Sequence, residues 1–96
     1  MSNVYKEREN GQEAERILQN PIYAEAWTAY RLRLLEEIEA APSDATERVL
    51  HLKRMLSVAT AVRGHLERIM KEGSFAAKSI EIEEKRGRLT RIFNGR

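Results

Sequence analysis

The sequence predicts an all-α fold built around an antiparallel helical hairpin, over about residues 21–41 and 44–72, with a short helix before it and a weaker one after it. Three observations carry that prediction. Apolar residues recur at three- and four-residue steps through most of the chain. The break Ala41-Pro42-Ser43-Asp44 separates two such runs, and Asn20-Pro21 marks a joint ahead of them. Charged residues make up 33% of the 96 residues and aromatics only 6%, which suits exposed helices with narrow apolar stripes better than a thick globular core.

Residues 1–11 are polar and end at the turn dipeptide Asn10-Gly11, so they read as a flexible arm with Val4 and Tyr5 as its apolar anchors. A single helical domain over 12–93 follows, and 94–96 form a basic tail end. The first helix, 12–19, gathers Ala14, Ile17 and Leu18 on one side. Asn is a favoured N-cap and Pro a favoured first helical residue, so a new helix begins at Pro21. Along it Tyr23, Trp27, Tyr30, Leu34, Ile38 and Ala41 share one face, while Leu32 and Leu35 fall on another and form a second apolar patch. Pro42 ends this helix because it disfavours helical backbone at the residue before it.

Asp44 followed by Glu47 has capping-box spacing and starts the next helix. That helix carries Ala45, Val49, Leu52, Leu56, Ala59, Leu66 and Met70 on one stripe, widened to about half the circumference by Met55, Val58, Val62 and Ile69. The predicted core sets Tyr23, Trp27, Tyr30 and Leu34 against Leu52, Leu56 and Leu66. Lys71 and Gly73 are placed to close the helix as dipole partner and C-terminal cap. Over 74–93, Phe75, Ile82, Leu89 and Phe93 recur at roughly helical spacing, interrupted by Gly87. Residues 79–83 also alternate as a strand would; helix is the state adopted for the segment.

The absence of cysteine excludes disulfides and thiolate metal sites and makes a cytoplasmic setting the default. No run approaches the ~18 apolar residues of a membrane span, and the first dozen residues lack a signal-peptide core, so a soluble, untargeted chain without a membrane partner is expected. His51 and His65, the only histidines, lack a second ligand at metal-binding spacing. Glu36, Glu37 and Glu39 read as a solvated face rather than a catalytic pair. There is no nucleophile elbow and no Gly-rich phosphate loop. The expectation is a non-enzyme with no catalytic residue, no metal and no cofactor.

What remains is binding. Arg63 lies inside the apolar stripe of its helix, where it is either a boundary arginine over an apolar groove or one half of an ion pair across an oligomer interface. Ser57, Thr60, Ala61 and Gly64 gather on another face, either plain solvent-facing helix or a docking groove; a mid-helix glycine costs about 1 kcal/mol against alanine. With Leu32 and Leu35 these residues are the candidate partner or oligomer interface, and a homo-oligomer is expected. Trp27 is either the core anchor or an exposed aromatic that anchors a partner. Net charge is +2, distributed as −1 over residues 1–20, −2 over 21–41, +2 over 42–73 and +3 over 74–96. The last twelve residues hold Lys85, Arg86, Arg88, Arg91 and Arg96 without an acid among them, and with Phe93 they are the candidate nucleic-acid contacts.

The pattern Leu18-Gln19-Asn20-Pro21-Ile22, Glu25-Ala26-Trp27, Val62-Arg63-Gly64-His65-Leu66-Glu67, then Lys71-Glu72-Gly73 with Ala76-Ala77, resembles a group of short helical proteins of tailed bacteriophages and prophages. The match spans about residues 16–78. The resemblance implies a setting among head-assembly and packaging genes, in the host cytoplasm or the virion, with a phage protein as partner, and it carries over no catalytic residue. A helical hairpin with a charged tail is also similar to the oligomerising cores of phage small terminases, although no N-terminal DNA-binding helix-turn-helix is evident. A small phage inhibitor of a host protein is a further reading open to such a chain.

Overall fold

The computed structural model describes residues 3–94, and the side chains of residues 3–92. Three α-helices account for nearly all of them, and no strand occurs among the described residues: α1 (Val4–Gln19), α2 (Pro21–Ala40) and α3 (Thr46–Asn94).

Helix α1 begins eight residues earlier than the sequence predicts. The Asn3 side-chain oxygen accepts from the backbone N–H of Tyr5 at 2.9 Å and of Lys6 at 3.3 Å, which satisfies donors that an uncapped first turn leaves open. The segment read as an arm is therefore helical from Val4 onward, and Gly11 lies inside the helix rather than at a turn. Between α1 and α2 the chain breaks at Asn20. Its side-chain oxygen accepts from Ile22 N at 2.9 Å and Tyr23 N at 3.0 Å, and Pro21 occupies the first helical position. Ala41 ends α2 with extended backbone, and Pro42 follows.

Two boundaries of α3 differ from expectation. A turn closed by Ala45 N to Pro42 O at 3.0 Å delays the helix to Thr46, and Ala45 O accepts the first bond, from Val49 N at 3.1 Å. Ala45 rather than Asp44 thus stands at the capping position. At the other end Gly73 does not cap anything. Among the described residues no glycine has positive φ, so the left-handed conformation of a glycine cap is absent at Gly73, and α3 continues through 49 residues to Asn94. Neither Gly87 nor the alternating residues 79–83 interrupt it.

Contacts divide the chain into two units, one holding the chain up to Glu15 with α3 from Glu67 onward, the other Arg16–Leu66. In the second unit α2 lies against α3. Leu34 and Leu52 are buried, Tyr23, Trp27, Leu56 and Leu66 are half-buried, and Tyr30 is 37% exposed instead of joining the core. Glu37 pairs with Arg48 at 3.6 Å, a solvated contact of small energetic weight.

The first unit is built on small residues. Gly11 and Ala14 of α1 and Gly73, Ala76 and Ile80 of α3 are buried. A Cβ added to Gly11 would stand 2.5 Å from the Gly73 Cα, and one added to Gly73 would stand 2.5 Å from the Gly11 Cα and 2.9 Å from the Glu7 carbonyl oxygen. The two backbones touch at this crossing. Only glycine on both sides permits it, because any side chain would have to occupy the space of the other main chain.

Candidate interaction surfaces

Trp27 organises the second unit. Its Nε1 donates to the Ala59 carbonyl of α3 at 3.3 Å, so the polar edge of a half-buried ring is satisfied while its apolar body packs. The Arg63 guanidinium lies 4.7 Å from the centre of that ring and Arg31 lies 5.9 Å from it. Arg63 sits one turn beyond Ala59 on α3, which places its charge over the ring face, and the half-buried stem covers apolar surface on the way. Within its own chain Arg63 therefore stacks on Trp27. Beside it Tyr30, His51, Arg54, Met55, Val58 and Ala59 line a shallow groove of about 320 Å³, and Arg33 stands over the Tyr30 ring at 5.8 Å.

The predicted interface residues do not come together as one patch. Leu32 is 53% exposed on the side of α2 away from α3, whereas Leu35 is half-buried, so the second apolar patch is divided. Ser57, Ala61 and Gly64 share an exposed face of α3, and a Cβ on Gly64 would meet nothing within 4 Å. That face is open helix surface.

At the end of α3 the basic run is not free of acids. Lys85 pairs with Glu81 at 3.6 Å and Arg86 with Glu83 at 3.7 Å, each acid lying one turn earlier and so just ahead of the last twelve residues. Arg88 and Arg91 line a groove of about 420 Å³ with Tyr5, Glu83, Glu84 and Gly87, which mixes both signs of charge. Phe93 is helical in its backbone, its side chain lying outside the described set, and Arg96 lies outside the described residues.

The contact that sequence patterning missed is the Gly11–Gly73 crossing. Arg8, Gln12, Glu15, Lys71 and Ser74 rim a groove of about 470 Å³ over it. A signal was present: Gly11 and Ala14, like Gly73 and Ala76, set small residues three apart on one helix face, as close helix approach requires. His51 and His65 are exposed, and no group of three or more His, Cys, Asp or Glu among the described residues could hold a metal. Among the described residues no helix is long and apolar enough to cross a membrane. No family model, curated protein or solved structure matches the chain.

Proposed function

We propose that this chain is a non-enzymatic helical assembly protein of a tailed phage or prophage, accessory to virion assembly or DNA packaging, working by self-association and partner binding in the host cytoplasm or the virion. α2 and the first half of α3 act as its antiparallel hairpin. The Glu37–Arg48 pair close to the Pro42 turn and the Trp27–Ala59 bond farther along both helices support that arrangement. The phage setting rests on the resemblance of residues 16–78.

The observation that carries self-association is the number of large apolar side chains left in solvent on α3. Val58, Val62, Phe75, Ile82, Leu89 and Ile92 are each more than half exposed, a greater apolar display than scattered surface residues account for. Sedimentation velocity over a concentration series should show a dimer or larger species. A strict monomer at high micromolar concentration in low salt would overturn the proposal.

A further inference from the structure

Each unit presents one exposed helix face of a single sign of charge, and the two signs are opposite. On α2, the side turned away from Leu34 and Trp27 carries Ile22, Glu25, Leu32, Glu36 and Glu39, all exposed. The arginines of this helix stand to either side, Arg31 over the Trp27 ring and Arg33 over the Tyr30 ring, so the outer face holds acids and apolar groups without a cation. On α3, the side turned away from Gly73 and Ile80 carries Phe75, Lys78, Ile82, Lys85, Arg86 and Leu89. Phe75, Ile82 and Leu89 are 71%, 56% and 55% exposed and recur every seven residues, the spacing of a helix seam that packs on another helix.

We infer that the acidic outer face of α2 in one copy docks on the basic outer face of α3 in a second copy; this deepens, and rests on, the self-association proposed above. Charge complementarity selects the pairing. α2 against α2 sets three acids on three acids, and α3 against α3 sets lysines and arginine on their equals, whereas α2 against α3 sets an acidic face on a basic one. Length agrees as well. At 1.5 Å per residue the acidic face from Ile22 to Glu39 spans about 26 Å and the basic face from Phe75 to Leu89 about 21 Å. Lys85 and Arg86 make solvated pairs to Glu81 and Glu83, in which all four side chains are more than 60% exposed, so they can exchange acids on docking.

The test uses the full chain in three forms: wild type, an acidic-face reversal (Glu25→Lys, Glu36→Lys, Glu39→Lys) and a basic-face reversal (Lys78→Glu, Lys85→Glu, Arg86→Glu). Wild type should associate in low salt and dissociate as salt rises. Each reversed variant alone should shift to the monomer mass, and an equimolar mixture of the two should regain association, since one is then basic on both faces and the other acidic on both. Circular dichroism confirms that each remains helical, and the glutamine versions of the same positions, which remove charge without reversing it, should weaken association in the same direction. If wild type associates but each reversal alone still does, or helical variants fail to recover association when mixed, the pairing is overturned while self-association stands. A monomeric wild type removes both.

Discussion

Gly73→Ala is the substitution that most directly interrogates the fold. In an ordinary helix interior it would stabilise, because alanine exceeds glycine by about 1 kcal/mol in helix propensity and restricts the unfolded chain. At position 73 the new methyl would lie 2.5 Å from the Gly11 Cα and 2.9 Å from the Glu7 carbonyl oxygen. Both neighbours are main chain and cannot swing aside, so α1 must withdraw by about 1 Å to reach the ~3.5–4 Å of an ordinary contact. Withdrawal loosens the seam of Ala14, Ala76 and Ile80, and overpacking of this kind costs ~1–3 kcal/mol. Gly64 and Gly87 supply the internal control: both lie in α3, and a Cβ at either meets nothing within 4 Å. Thermal melts followed by far-UV circular dichroism should show Gly64→Ala and Gly87→Ala raising Tm and Gly73→Ala and Gly11→Ala lowering it, at ~4–8 °C per kcal/mol for a chain of this size. A Tm for Gly73→Ala raised as far as that of Gly64→Ala would refute the backbone contact.

Trp27→Ala should cost ~2–3 kcal/mol, below the ~3–5 kcal/mol of a fully buried aromatic because the ring is half-buried; it also removes the bond to Ala59 and the platform under Arg63. An unchanged melting curve would mean that the ring does not hold α2 on α3. Tyr23→Phe should leave stability unchanged or raise it by ~1 kcal/mol, because among the described residues nothing bonds the buried Tyr23 hydroxyl, and an unpaired buried polar group is unfavourable; a clear loss in a denaturant titration would show that the hydroxyl has a partner.

Where structure follows from nearest neighbours it was readable in advance. Asn20-Pro21 starts α2 because a cap and a fixed φ act within three residues, and Pro42 stops α2 for a reason equally local. Glycine is different. Asn10-Gly11 and Gly73 carry the chemistry of turns, yet their backbones stay helical, and the close approach that requires glycine at both is made between positions distant in the chain. Asp44 and Glu47 have the spacing of a capping box, but the Pro42–Ala45 turn moves the helix start past it. Of the interaction surfaces, Arg63 stood out as a charge within an apolar stripe, while its stacking on Trp27 depended on how two helices face each other. The acidic α2 face was visible only as separate glutamates, and its cation-free character emerged once Arg31 and Arg33 were seen to lean on aromatic rings.

The Gly11–Gly73 crossing also has a bearing on how the chain is made. Trp27 and Ala59 are 32 residues apart, so the contacts of α2 can form soon after the first turns of α3 leave the ribosome. Gly11 has to wait for Gly73. At ~5–20 residues per second, α1 is synthesised several seconds before its partner exists. During that interval its small-residue face has nothing native to pack against, and a sixteen-residue helix is close to the length at which isolated helices are marginal in water. The Asn3 cap, which bonds within its own first turn, and the Arg8 guanidinium 5.6 Å from the centre of the Tyr5 ring are stabilising features α1 possesses before Gly73 is made, and the vectorial order of synthesis gives these local contacts a part to play that the finished fold conceals.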